Sequence, residues 1–275
     1  MGHLYAEVKM AQLSKFGEEL CGDKIEIART PDSTIIVLSD GLGSGVKANI
    51  LATLTTKIAS SMLQRGISLE DVVNTITETL PICRERKIAY STFQILQITT
   101  AGQAKLVEFD SPHAFLLREG KVVAFPTEEV LLGGKVINIG TLHLQPEDII
   151  LLVSDGVIHA GIGGLLKLGW TWEGISRHLQ TSYRAGWDAD KVVKQLIDCC
   201  EGYYLGRPGD DSSVVAVRLR EVRMAAIFTG PPASASQDEA IVSRFLRLPG
   251  IKIVAGGTTA KIVSRVTGRP LKVTL

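Results

Sequence analysis

Three segments place carboxylates where an apolar run ends or begins. The run IIVLSDGLGSG carries Asp40 followed by Gly41, IILLVSDGV carries Asp155 followed by Gly156, and GRPGDDSSVVAV places Asp210 and Asp211 just before a strand-like stretch. A side chain at a strand end is positioned by a rigid sheet, and a glycine after it lets the backbone approach a ligand closely. One such triplet alone is an ordinary turn. Three in one chain describe gathered carboxylates, which repel one another unless they take up protons or a cation. The donors are hard oxygens with no clustered Cys and His, a set that selects Mg²⁺ or Mn²⁺ over zinc. Two such ions about 3.5–4 Å apart can hold a bridging water, lower its pKa and neutralise a phosphoryl group. The chemistry in view is metal-dependent hydrolysis of a phosphate ester, with Asp40, Asp155 and Asp210 as its catalytic carboxylates.

These residues must be carried by elements that bring them together. Lys24–Ala28 and Thr34–Leu38 flank the turn formers Pro31, Asp32 and Ser33 and predict a β-hairpin. From Val46 to Leu63 apolar residues recur at three- and four-residue spacing (Ile50, Leu51, Leu54, Ile58, Met62), which predicts a helix stopped by Gly66. Ser68 with Asp71 three residues on caps a second helix, which reaches about Leu80 and ends at Pro81. Residues 90–125 read as an antiparallel meander, extended by VINIGTLHL and IILLVSDG. Helical patterns return over Gly163–Tyr183 and Asp188–Tyr203, and a last strand covers Ser213–Leu219. Helices grouped in pairs between runs of strands imply an α+β fold: two packed antiparallel sheets with a helix pair on each outer face. After about Glu221 the pattern becomes strand–helix–strand–helix–strand, with LKVTL beginning the last strand. We therefore expect a main domain over 1–221 and a small C-terminal α/β appendage over 222–275, itself incomplete.

Composition narrows the classes. The 275 residues are 45% hydrophobic and 21% charged with a formal net charge of +1, ordinary for a globular protein. No basic run interleaved with aromatics points to nucleic acid. No apolar run has the length of a membrane span, and Met1–Met10 lacks a signal peptide's apolar core, so a cytoplasmic protein without membrane attachment is expected. Cys21, Cys83, Cys199 and Cys200 fit neither a zinc site nor a disulfide framework. Adjacent Cys199 and Cys200 fit a helix with at least one of them buried.

SDGLGSG, VSDGV and DDSSVVAV, in this order and at this spacing, resemble the metal-dependent (PPM) protein phosphatases, and most closely the SpoIIE-like bacterial serine phosphatases, over roughly residues 10–220. The resemblance implies a four-layer α-β-β-α sandwich. It implies that Asp40 bridges two Mn²⁺ or Mg²⁺ ions, that the Gly41 carbonyl ligates one, and that Asp155 and Asp210 bind the other. CGD is similar to the family's N-terminal acidic motif and places Asp23 near the second metal. Eukaryotic members carry a Glu beside that Asp, where this chain has Gly22, so the second site is expected to be weaker. Asp211 stands where many relatives carry Asn and is expected to support the ligands. EFDSPHAFLL occupies the place of a GDS motif, making Asp110 a candidate for a third metal. The implied activity is serine/threonine phosphoprotein phosphatase, by in-line attack of water on phosphorus. The implied partner is a phosphorylated bacterial regulator, such as an anti-sigma-factor antagonist.

Other residues invite chemistry less strongly. The phosphate-gripping arginine of eukaryotic members has no clear counterpart; Lys24 and Arg29 lie nearby but read as strand cations. His113 and His159 read as rim or surface histidines, His159 by its place after SDGVI. Cys21 abuts Asp23, whose charge raises a thiol pKa and argues against a cysteine nucleophile. In the appendage, FTGPP and AGGTTAK end strands before helices, where anions can bind, but a plain turn explains both. Two rival readings follow: a catalytically weak PPM-like signalling module, and a ligand sensor acting through the C-terminal unit. The helix pair after GLGSG matches the position of a regulatory element in SpoIIE-like phosphatases.

Overall fold

The computed structural model describes residues 4–79, 91–132, 134–184 and 186–270. It divides into two compact units, Met1–Glu221 and Val222–Leu275. The first unit runs β1 (Leu4–Leu13), β2 (Asp23–Arg29), β3 (Ser33–Gly41), α1 (Gly45–Gln64), α2 (Leu69–Thr79), β4 (Ser91–Thr99), β5 (Gln103–Phe109), β6 (Phe115–Arg118), β7 (Lys121–Ala124), β8 (Glu128–Leu132), β9 (Lys135–His143), β10 (Ile149–Val153), α3 (Asp155–Ile158), α4 (Trp172–Ser182), α5 (Ala189–Tyr203) and β11 (Ser212–Glu221). The second runs β12 (Ala225–Thr229), α6 (Asp238–Arg247), β13 (Ile251–Ala255) and α7 (Gly257–Thr267).

Two antiparallel sheets form the first unit, ordered β1-β11-β10-β6-β7 and β2-β3-β4-β5-β9-β8. Strand alternation gives each sheet two apolar faces, and three core clusters fill the resulting layers. Ile36, Leu38, Leu96, Leu116, Ile150 and Val215 meet between the sheets. Ile35, Val37 and Ile95 pack outward under Leu63, Val72 and Ile76 of α1 and α2. Leu151, Val153 and Val214 pack outward under Ile175, Leu179, Val192 and Leu196 of α4 and α5. The fold is α+β, in the expected order α-β-β-α. Burying each such side chain contributes about 1.5–3 kcal/mol, which makes the sheets a stiff platform for whatever their ends carry.

Four elements differ from the sequence reading. Residues 90–125 are not one meander: β4 and β5 belong to one sheet and β6 and β7 to the other, the chain crossing between them after Asp110, whose φ is +48°. Gly163–Tyr183 is helical only over Trp172–Ser182, because Gly163 and Gly169 adopt positive φ and hold the preceding stretch in turns. Leu4–Leu13, a mixed segment by pattern, is a strand paired with β11 along its whole length. In α1 the buried face is the small one (Ala48, Ala52, Thr55, Thr56, Ala59), while Val46, Ile50 and Leu54 face outward. Small residues let this helix lie close against β3.

The predicted cap of α2 is present: the Asp71 amide donates to Ser68 Oγ, which donates back to the Asp71 carboxylate. Its expected end at Leu80 and Pro81, along with Cys83, lies outside the described residues. Cys199 and Cys200 sit in α5, and Cys200 is buried. In the second unit β12 and β13 pair in parallel, and Phe228 packs on Phe245 of α6. The LKVTL segment lies outside the described residues.

Candidate active site at the strand ends

The hairpin of β2 and β3 sets Asp23 directly opposite Asp40, so one antiparallel register places two carboxylates side by side. On the other flank of β3, β4 puts Thr92 opposite Asp40 and Ser91 opposite Gly41. Ser91 Oγ donates to the Asp40 carbonyl at 3.0 Å. In the facing sheet β10 ends at Val153, and the chain turns through Ser154 into α3, whose first residue is Asp155. Asp210 and Asp211 immediately precede β11. A hydrogen-bonded chain ties the sheets together at this end. Gln12 Nε2 donates to Ser213 Oγ (2.8 Å), Ser213 Oγ donates to Asp23 Oδ2 (2.6 Å), and the Ser213 amide donates to Ser154 Oγ (2.8 Å).

A cavity of about 690 Å³ opens over this end. Asp40, Gly41, Asp110, Asp155 and Asp210 line it, together with Lys15, Ser44, Ser91 and Thr92. Five of the seven residues singled out from sequence thus share one cavity. The other two, Asp23 and Asp211, are buried, at 2% and 4% exposure.

Burial and mutual repulsion dominate the electrostatics. Burial first, then the charges of Asp23, Asp155 and Asp210, push the Asp40 carboxyl up to about 9. Asp23 is pushed up to about 7, again chiefly by burial, against the lowering hydrogen bonds of Ser213 and Ser154, with the charges of Asp211 and Asp155 adding to the rise. Asp210 is raised by burial and by Asp155. Cys21, beside Asp23 and Asp211, is pushed up to about 12 by burial and those two charges, so it is a thiol rather than a nucleophile.

The glycines after the acids are there for close packing. A Cβ on Gly41 would fall 2.0 Å from the Ala48 carbonyl oxygen in α1, and one on Gly156 would fall 2.0 Å from the Asp211 carbonyl oxygen. Tyr204 OH donates to the Gly156 carbonyl at 2.7 Å and fixes that loop. Gly22 has a similar reason. A Cβ there would lie 2.8 Å from Asp211 Oδ2, so the Asp211 carboxylate occupies the space a larger residue at 22 would need.

Does this set fit a divalent cation? Asp23 Oδ1 is buried with no hydrogen-bond partner, a costly state for a carboxylate oxygen that a cation or its hydration water would relieve. Raised carboxyls in one cavity are the electrostatic counterpart of missing positive charge. Among the described residues, no three Asp, Glu, His or Cys side chains close around a single point as a cage. The donors therefore fit hydrated Mg²⁺ or Mn²⁺, held by few carboxylates with water completing the sphere, and do not fit a closed zinc site.

Lys15 was not singled out by the sequence. It lines the acidic cavity, its Nζ lies 3.9 Å from Asp210 Oδ1, and its amide donates to Asp211 Oδ1 at 2.9 Å. Nothing in its mixed segment marks it; only the fold carries it there. Arg29 is committed elsewhere, donating to the Ala6 carbonyl and Thr34 Oγ1 and stacking over Tyr5. His113 Nδ1 pairs with buried Glu108 at 2.8 Å, and Glu108 also accepts from the Ala114 amide at 2.6 Å. That arrangement braces the turn after Asp110. Exposed His159 lines two smaller cavities, each of which shares an aspartate with the acidic one.

Two antiparallel sheets between helix pairs, with carboxylates from both sheets meeting at one end, define the architecture of the PP2C (PPM) phosphatase domains. The PP2C phosphatase domain of the cell fate determinant SpoIIE from Bacillus subtilis, solved with a fragment of its regulatory domain, matches at a TM-score of 0.69 with 20% identity, over 81% of this chain and 66% of that one. RsbX in complex with magnesium matches at a TM-score of 0.56 with 18% identity, over 80% of this chain and all of that one. The family model of stage II sporulation protein E (SpoIIE) matches residues 30–220, and the chain belongs to that family. Stage II sporulation protein E of Priestia megaterium is 23% identical over 216 residues, 77% of this chain. The chain spans only 36% of that relative's length.

Proposed function

We propose that the first unit is a metal-dependent serine/threonine phosphoprotein phosphatase whose ligands are Asp40, the Gly41 carbonyl, Asp155, Asp210 and Asp23, with Asp110 and Asp211 in support. The observation that carries this reading is the convergence of Asp40, Asp155, Asp210 and Asp110 in one cavity beside a buried, unpartnered Asp23 oxygen. Bound Mg²⁺ or Mn²⁺ would supply an activated water and positive charge for a phosphoryl group. The chain's own part is positional. Asp40 and Asp23 share one hairpin register, so they hold a fixed separation. Asp155 and Asp210 come from the facing sheet, so the two sheets together set the width of the site. Lys15 brings a cation to the cavity wall, where a phosphate dianion would be attracted.

The substrate class is a phosphoserine or phosphothreonine ester on a bacterial regulatory protein, with an anti-sigma-factor antagonist as the favoured kind. Family membership supports this. Hydrolysis of p-nitrophenyl phosphate by the full chain with Mn²⁺, Mg²⁺ or EDTA is the test. Turnover that depends on a divalent ion is expected; no turnover under any of several ions sinks the enzyme reading and leaves a non-catalytic module.

A further inference from the structure

A second cavity, about 400 Å³, opens beside the acidic one, and Asp210 lines both. Ile162, Leu205, Tyr203 and Tyr204 give it an apolar and aromatic lining, beside which stand His159 and Arg207. Gly161, Gly163 and Gly164 also line it and carry no side chains to fill the space. Ile162 is 54% exposed and Leu205 70% exposed, so neither is held there by the packing of the fold. Leu205 also sits at φ +53°, a left-handed conformation that leucine disfavours and asparagine tolerates. The wall is rigid relative to the acids, because Tyr204 OH bonds the carbonyl of Gly156, the residue after Asp155.

We propose that this cavity is the subsite for an apolar side chain adjacent to the phosphorylated residue of a protein substrate. The inference rests on the phosphatase reading and deepens it. Because Asp210 belongs to both cavities, a phosphoryl group held over the acidic cluster leaves the neighbouring residue of the same polypeptide at the mouth of the apolar one. A small phosphate ester reaches only the acids. A polypeptide with leucine or isoleucine beside the phosphoserine reaches both, and desolvates Ile162 and Leu205. The subsite is therefore a determinant of substrate choice rather than of the chemical step.

The test uses the full chain with Mn²⁺ and two phosphoserine peptides of equal length and charge, one with leucine on both sides of the phosphoserine and one with glutamine there. p-Nitrophenyl phosphate serves as reference. Wild type is expected to favour the leucine peptide by about tenfold in kcat/KM. In Leu205→Asn and in Ile162→Asn that ratio should fall to about twofold or less, with the loss in KM rather than kcat. Leu205→Asn should keep or raise the melting temperature, since asparagine suits the left-handed backbone, which separates lost recognition from lost folding. A wild-type ratio near one, or a tenfold ratio that survives in either variant, overturns the subsite. Absence of p-nitrophenyl phosphate hydrolysis in wild type would overturn the phosphatase reading, and the subsite with it.

Discussion

Asp40→Asn should stabilise the metal-free protein while removing its response to metal. The Asp40 carboxyl rises from its ordinary 3.8 to about 9 through burial and the charges of Asp23, Asp155 and Asp210. Below about pH 4 the folded and unfolded chains both carry the proton, and the group is neutral to stability. Above it the unfolded chain releases the proton while the folded chain keeps it, so stability falls as pH rises, up to about pH 9. At about 1.4 kcal/mol per pH unit, the roughly three units between 3.8 and 7 set an upper limit of about 4 kcal/mol. Relaxation of the cluster and screening in the partly open cavity bring the expectation to about 2–3 kcal/mol. The assay is urea denaturation in EDTA at pH 5, 7 and 8.5. It can be followed by tryptophan fluorescence, because Trp170, Trp172 and Trp187 all lie in the first unit. Wild type should lose stability across this range, and Asp40→Asn should lose less and exceed wild type at pH 7. With Mn²⁺ at 100 times its dissociation constant, wild type should gain about 2.7 kcal/mol, and the variant much less. An Asp40→Asn protein that is less stable in EDTA at pH 7, with an unchanged pH slope, would refute the electrostatic reasoning.

Gly41→Ala places a methyl group 2.0 Å from the Ala48 carbonyl oxygen, so α1 must shift; a loss of about 2–3 kcal/mol and of most phosphatase activity is expected by denaturation and rate assay. Asp148 is 2% exposed and accepts from Arg118 Nε at 2.9 Å, Arg118 Nη2 at 2.7 Å and the Gln145 amide at 2.7 Å. Asp148→Ala should cost about 3 kcal/mol or more in the same urea assay, with little change in the metal requirement. Cys21, its thiol pushed up to about 12, should react with iodoacetamide at pH 7.5 on the order of 100-fold more slowly than a free thiol, as followed by peptide mass spectrometry; labelling at the free-thiol rate would contradict its environment.

Much of this fold is legible in the sequence because its strands are strongly patterned and its turns chemically marked. The β2–β3 hairpin, the runs ending at Asp40 and Asp155, and the capped start of α2 follow from alternation and from Pro31, Asp32, Ser33 and Ser68. What pattern does not reveal depends on partners distant in the chain. β1 is an edge strand of charged and apolar residues whose assignment rests on pairing with β11, some two hundred residues away. The turn segment before α4 has the apolar content of a helix, but Gly163 and Gly169 hold it open, and Gly161, Ile162, Gly163 and Gly164, which line the apolar cavity, lie in it. The site divides in the same way. Asp40, Asp155 and Asp210 announce themselves by their glycines and strand runs. Lys15 reaches the cavity only because the two sheets meet, and Gly22 is explained only by the Asp211 carboxylate and the Ala48 methyl group beside it.

The proposed function stands on carboxylates from two sheets forming one metal-dependent hydrolytic site with Asp40 at its heart. The most direct test is phosphate release from p-nitrophenyl phosphate across a Mn²⁺ titration, comparing wild type, Asp40→Asn and Asp110→Asn. Metal-dependent turnover is expected in wild type, at least 100-fold less in Asp40→Asn by order of magnitude, and a much smaller loss in Asp110→Asn. Equal activity in the two variants, or wild-type turnover unaffected by EDTA, would contradict it.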